Sequence, residues 1–168
     1  MKLSRNAFII VLIIINIALD QISKAIARVY IQKGEVIDVI GDVFQLYHVE
    51  NKGAFLGMGS DMNDTMKLIF LLILPVLVLG YVIYFIVKNK ELDKLSLIAF
   101  CCIVGGGIAN VYDRIVYGKV TDFLHLDFGG VFRTGIFNVA DMSVTTGMII
   151  LLYASFFIKP KKEEVSNN

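Results

Sequence analysis

GGGIANVYDRIVYGKVTDFLHLDFGGVFRTGIFNVAD, residues 105–141, decides how this chain is read. One apolar run leads into the stretch and another leaves it, yet it carries Asn110, Asp113, Arg114, Asp122, Asn138 and Asp141. Hydrocarbon tolerates such groups only where they pair, face protein or reach water. Polar side chains at this density between membrane-length segments mark a candidate site, provided that the fold gathers them.

The surrounding chain is strongly apolar. Of 168 residues, 57% are hydrophobic and 18% charged, and the mean hydropathy is +0.72; soluble domains hold about 25% charged residues. The excess falls in four runs near the ~20 residues that a spanning helix needs, at residues 7–27, 66–87, 95–112 and 141–158. The expected class is an all-α membrane protein with four transmembrane helices. It forms a single polytopic domain over residues 1–168, with outer loops at 28–65 and 113–140 and a polar cytoplasmic tail at 159–168. Lys2 and Arg5 ahead of the first run imitate a secretory leader, but no small-residue cleavage pattern follows, whereas Asp20, Gln21 and Lys24 do. The segment therefore reads as an uncleaved anchor.

Other classes are disfavoured. A net charge of +1 gives no reason to expect a nucleic-acid partner. Cys101 and Cys102 are neighbours within one apolar run, so no disulfide framework is expected. Only His48 and His125 accompany them, and no spaced ligand set exists, so a metal is not expected.

Orientation follows from basic residues near the span ends. Lys2 and Arg5, then Lys88, Lys90 and Lys94, then Lys159, Lys161 and Lys162 all fall on one side of an even-spanned chain, which the rule makes the cytoplasm. Asp20 and Lys24 then lie in the outer part of span one, and Asn110, Asp113 and Arg114 at the outer end of span three. Asp122 and Asn138 sit in the loop between spans three and four, and Asp141 opens span four. All converge on the outer surface. In the first outer loop, residues 36–40 and 43–49 are rich in β-branched and aromatic side chains, and Asn51-Lys52-Gly53 is turn-like. These suggest a hairpin or small extracytoplasmic sheet holding Asn51 over the bundle. Pro75, Gly80 and the glycines at 105–107 read as helix packing.

Two aspartates held close cannot both ionise cheaply, so they share a proton. The ionised member can activate water and the protonated member can donate to a peptide carbonyl. Asp122 and Asp141 fit that role by position. Taken singly, each has a plainer reading: Asp141 as a helix N-cap, Asp122 as a solvated loop residue, Asp113 and Arg114 as an ion pair.

Five motifs in order carry a resemblance: Asp20-Gln21-Ile22-Ser23-Lys24, Asn51-Lys52-Gly53-Ala54, the run from Gly106 through Asn110 to Asp113-Arg114, Val120-Thr121-Asp122-Phe123, and Phe137-Asn138-Val139-Ala140-Asp141. Together with the four-span layout they resemble the lipoprotein signal peptidases, or signal peptidase II. That resemblance implies an aspartic endopeptidase of the bacterial cytoplasmic membrane, with both termini inside. It would cut diacylglyceryl-modified prolipoproteins just before the lipidated cysteine, with membrane lipids as neighbours and no cofactor. It implies Asp122 and Asp141 as the catalytic pair, and Asn51, Gly53, Asn110, Asp113, Arg114, Asn138 and Ala140 as groups that position substrate or brace the pair. Asp20 and Lys24 would support the site's architecture. Three positions depart from the usual pattern: Phe55 directly follows Ala54 where a second alanine is common, Ala109 replaces a glycine, and Ser23 a threonine. Two other classes remain open. A small ion-coupled transporter also carries intramembrane acids, and a non-catalytic lipopeptide-binding homologue would keep the fold without the reaction.

Overall fold

The helix that carries the polar stretch runs further than hydropathy alone indicates. The computed structural model describes residues 3–54, 59 and 61–157; the tail at 159–168 and Phe55 of the Ala54-Phe55 departure lie outside the described residues. In chain order the elements are α1 (Arg5–Tyr30), β1 (Val36–Ile40), β2 (Phe44–Asn51), α2 (Asp64–Lys67), α3 (Leu74–Lys88), α4 (Lys94–Tyr117), β3 (Val120–Phe128), β4 (Phe132–Arg133) and α5 (Val139–Phe157). A π-helical turn, Leu68–Ile73, joins α2 to α3 without a break. Counting that composite as one, four helices among the described residues are long and apolar enough to cross a membrane. Ile10, Ile14, Ile22 and Ile26 of α1 and Leu77, Tyr81 and Tyr84 of α3 stand exposed on their surfaces, as side chains facing lipid do.

The caps explain where the helices stop. Asp93 accepts from the Ser96 N–H at 2.9 Å and starts α4. Gly118, with φ 69°, ends it in the left-handed region and donates its N–H to the Arg114 carbonyl at 3.1 Å. Asp113 and Arg114 are thus helical residues in the last two turns of α4, beyond the span expected at 95–112, and Asp122 follows four residues after the cap. The π turn has a local cause. Pro75 has no N–H to give and its ring crowds the carbonyl one turn back, which loosens the preceding turn.

The expected hairpin is present, but it is only half of the sheet. Strands run β1-β2-β3-β4, all antiparallel. The second connection, expected as a loop at 113–140, instead supplies β3 and β4. The alternation that signals a strand is blurred at residues 120–123, because all four are buried, packed under the ends of α1 and α4. The β2–β3 register pairs Val49 with Asp122 and Asn51 with Val120. Phe137 bridges back to Leu124, donating to its carbonyl at 2.9 Å and accepting its N–H at 2.8 Å.

Helix α4 is the hub, packing on α1, α3 and α5. Its contact with α5 is backbone to backbone: a Cβ on Gly106 would run into the Ala140 carbonyl, and one on Gly147 would sit 2.6 Å from the Ala99 carbonyl. Small residues at these points let the helices approach closely, and Asn110 lies one turn beyond Gly106. Gly106→Val is expected to push α5 away and to lower stability by about 1–3 kcal/mol, read as melting temperature in detergent. Gly80→Ala is the control, since its Cβ meets only open space; an equal loss in both variants would show that the crossing is not the cause.

Candidate active site

At one end of the bundle a buried lysine organises everything around it. Asp20, Lys24 and Arg28 recur every fourth residue along one face of α1. Lys24 is fully buried: its ammonium group donates to Asn110 Oδ1 at 2.8 Å and makes ion pairs with Asp20 Oδ2 at 2.7 Å and Asp113 Oδ2 at 2.8 Å. Arg28 completes the balance. Its guanidinium reaches Asp113 at 3.3 Å and Thr121 Oγ1 at 2.8 Å, and it lies 4.2 Å above the Tyr117 ring. Gln21 donates to Asp113 at 3.0 Å and Asp20 at 3.2 Å. Two cations and two carboxylates leave this layer formally neutral.

Three asparagines carry the order outward. Each amide has its orientation dictated by a group that can only donate. Lys24 fixes Asn110 with its oxygen inward, so Nδ2 donates to Asp141 Oδ1 at 2.9 Å. The Asp141 N–H fixes Asn138, at 3.0 Å, so its Nδ2 donates to Asp122 Oδ1 at 2.6 Å. The Gly53 N–H fixes Asn51, at 2.8 Å, so its Nδ2 donates to Asp122 Oδ2 at 2.9 Å and to the Ala54 carbonyl at 3.0 Å.

Asn138 and Asp141 also form a capping box at the start of α5. Asn138 is the cap; Asp141 is the third helical residue and accepts the Asn138 N–H at 3.2 Å. The N-cap reading of Asp141 is therefore corrected by one turn: the cap is Asn138. The next free N–H, that of Ala140, donates to Asp20 Oδ1 at 2.8 Å. Ala140 itself is fully buried against Gly106, which leaves no room for a larger side chain.

The two aspartates have different surroundings. Asp122 lies on β3, is 3% exposed and has its carboxyl pushed up to about 6. Burial is the main cause and the Asp141 charge adds to it, against the hydrogen bonds from Asn51 and Asn138. Asp141 is partly exposed and lines two clefts. One, of about 470 Å³, runs between the π turn, α4 and α5 past Phe70, Leu71, Pro75, Asn110, Arg114 and Met148. The other, of about 400 Å³, lies between α5 and the segment after β4. Arg114 donates to the Gly53 carbonyl at 3.0 Å, pinning the end of β2 to α4.

Every site residue expected from the sequence joins this one network. Sequence reasoning missed Arg28, Gln21 and Thr121 as braces; the four-residue spacing of Asp20, Lys24 and Arg28 is the signal that finds the first. Among the described residues no group of His, Cys, Asp and Glu could hold a metal ion.

Comparison with known proteins adds an independent line. A family model described as signal peptidase (SPase) II matches residues 12–157. The lipoprotein signal peptidase of Borrelia duttonii is 37% identical, covering 96% of this chain and 98% of its own. That of Borreliella burgdorferi is 39% identical, covering 91% and 92%, and that of Pelodictyon phaeoclathratiforme 37%, covering 86% of each. Two solved bacterial membrane enzymes superpose with TM-scores of 0.79 and 0.77, both at 26% identity. They cover 94% and 90% of this chain and 93% and 94% of their own.

Lys24→Met tests the ionic layer. It leaves Asp20 and Asp113 buried with Arg28 as their one cation, and removing one partner of a buried pair costs about 3–5 kcal/mol. The expected result is a large fall in detergent melting temperature, with a smaller fall for Arg28→Gln, whose side chain is 22% exposed. Equal, small effects would mean that the layer does not depend on Lys24.

Proposed function

The chain belongs to the signal peptidase II family, and from that premise we propose that Asp122 and Asp141 are the catalytic pair of an aspartic endopeptidase. Its reaction removes signal peptides from diacylglyceryl-modified prolipoproteins, cutting just before the lipidated cysteine. The protein is a multi-pass protein of the bacterial inner membrane. In this reading both termini are cytoplasmic, and the polar end of the bundle, with its sheet, faces outward. Lipid and a membrane-embedded prolipoprotein are then the natural partners.

One observation supports the pair above the others: a single residue, Asn138, hydrogen-bonds both carboxyl groups, its side-chain Nδ2 donating to Asp122 and its backbone N–H to Asp141. Burial and the neighbouring Asp141 charge both resist ionisation of Asp122, so in this reading the two acids share a proton. In the first step the ionised member takes a proton from water, whose oxygen attacks the carbonyl carbon. The protonated member donates to the carbonyl oxygen. Collapse of the tetrahedral species then breaks the C–N bond: the first proton passes to the leaving amine, and the acid that donated takes its proton back from the gem-diol, restoring the pair. General acid and base action contribute about 10²–10⁴-fold each. The cleft past Phe70, Leu71 and Met148 has the apolar walls suited to the membrane-embedded part of a substrate. Holding that part in the bilayer removes much of the orientational cost of reaching the bond. A transporter would need charged groups along a path between both faces, whereas these gather at one end of α1, α4 and α5.

Asp122→Asn and Asp141→Asn should each lower kcat on a diacylglyceryl-modified prolipoprotein by about 10²–10⁴-fold while retaining helical content and yield in detergent. Wild-type rates in either folded variant would remove the pair assignment. The pH profile is a second test. Asp122 holds its proton to about 6, so below that value the pair keeps the proton that the acid step needs, and above it the proton is lost. The expected kcat/KM declines on the alkaline side with an apparent pKa near 6 or above, a value belonging to the pair. A profile with no such limb between pH 5 and 9 contradicts a shared proton.

A further inference from the structure

The second cleft beside Asp141 has features that the peptidase reading leaves unused. Its wall is the extended segment Arg133, Thr134, Gly135 and Phe137, facing Met142, Thr145 and Thr146 of α5. Thr134 pins this segment to β3: its N–H donates to the Leu126 carbonyl at 2.8 Å and its Oγ1 accepts the Leu126 N–H at 3.0 Å. Phe137 pins the other end at Leu124. Between them, among the described residues, neither Gly135 nor Ile136 makes a backbone hydrogen bond. That leaves a short open sheet edge beside a partly exposed carboxylate of the pair.

Arg133 lies opposite Asp127 and Phe137 opposite Leu124, so five residues face four and the segment bulges at Gly135 and Ile136, with Arg133 and Gly135 both lining the cleft. Arg133 is opposite Asp127 in the β3–β4 register, yet the two make no ion pair. Asp127 instead accepts the Gly130 N–H at 2.7 Å, and Arg133 makes no ion pair or hydrogen bond among the described residues. The cleft thus has unspent backbone groups at Gly135 and an unspent cation at its rim. Resting on the assignment of the catalytic pair, we infer that this cleft binds the substrate chain just after the cleaved bond, with Arg133 selecting an acidic side chain there.

Charge and direction fix the occupant. The signal helix belongs to the apolar cleft, on the other side of Asp141. The mature chain must leave away from the membrane, and β4 with its following segment lies on the sheet side of α5. An extended peptide would add to the edge at Gly135, as strands join exposed sheet edges elsewhere. From Arg133 to Phe137 is ~10 Å, the three steps from Asp127 to Leu124 on the paired strand at ~3.3 Å per residue. Arg133 therefore meets a side chain within the first few residues after the lipidated cysteine, and Gly135 leaves space for the passing backbone.

The test uses purified full-length protein in detergent and diacylglyceryl-modified peptides that differ at one position. Asp, Asn or Lys is placed in turn at the second, third and fourth residues, counting the cysteine as the first. At one of these positions the wild type is expected to favour Asp over Lys in kcat/KM by about threefold to tenfold, the range for a partly exposed charge pair. The preference should shrink as salt is raised. The readout for each variant is the Asp-to-Lys ratio, so a general loss of rate cancels. Arg133→Ala should bring that ratio near one, and Arg133→Glu should invert it. An unchanged ratio in Arg133→Glu at all three positions overturns the inference and leaves the peptidase standing. Failure of the wild type to cut any of the peptides instead removes the reading on which the inference rests.

Discussion

The polar end of this bundle depends on one buried ammonium group. Stripping a lysine of water costs several kcal/mol unless close partners return it, and Lys24 lies within 2.7–2.8 Å of two carboxylates and one amide oxygen. Two of the partners are carboxylates from different helices, so α1 and α4 are locked in rotation as well as distance. Arg28 supplies the second positive charge that Asp20 and Asp113 require. The third partner is an amide. That one neutral contact turns a structural ion cluster into the foundation of a site, because it fixes which end of Asn110 faces Asp141.

Close packing and hydrogen bonding set the geometry together. The Asn110–Asp141 bond exists only because Gly106 lets α4 and α5 meet at their backbones. The capping box then fixes Asp141 relative to Asn138 within one turn, and Asn138 reaches Asp122 on the sheet. Asn51 reaches the same carboxylate from β2. A strand, two helices and a second strand thus converge on a pair whose members lie 19 residues apart in sequence. The sheet reads as part of the catalytic frame, since it alone holds Asp122 at the level of Asp141.

Much of this was legible beforehand, and the reasons are physical. Four apolar runs of spanning length specify the helices, and polar residues that hydrocarbon cannot tolerate disclose which helix ends carry the site. The hairpin strands show in their β-branched content. What stayed hidden depends on long-range pairing. No local signal tells that Asn51 lies beside Asp122, because their contact needs a β2–β3 register 71 residues apart. The start of strand β3 is masked because residues 120–123 are buried on both faces, which blurs the alternation there. Pro75 shows in the sequence, but that it loosens a π turn facing a cleft depends on what packs opposite, and the second cleft depends on where Phe137 docks.

The use of asparagines around the pair, with lysine and arginine kept one layer back, has a chemical logic. A cation in direct contact with either acid would favour ionising both, and the shared proton would be lost. An amide N–H holds a carboxyl oxygen in place and offers far less charge. Asn51, Asn110 and Asn138 therefore give each aspartate two oriented partners without settling the pair in its doubly ionised state. The full charges are retained where they cancel, between Lys24, Arg28, Asp20 and Asp113. Position and protonation are thereby controlled by different layers: the ionic layer makes the site rigid, and the amide layer passes on that rigidity but little of the charge.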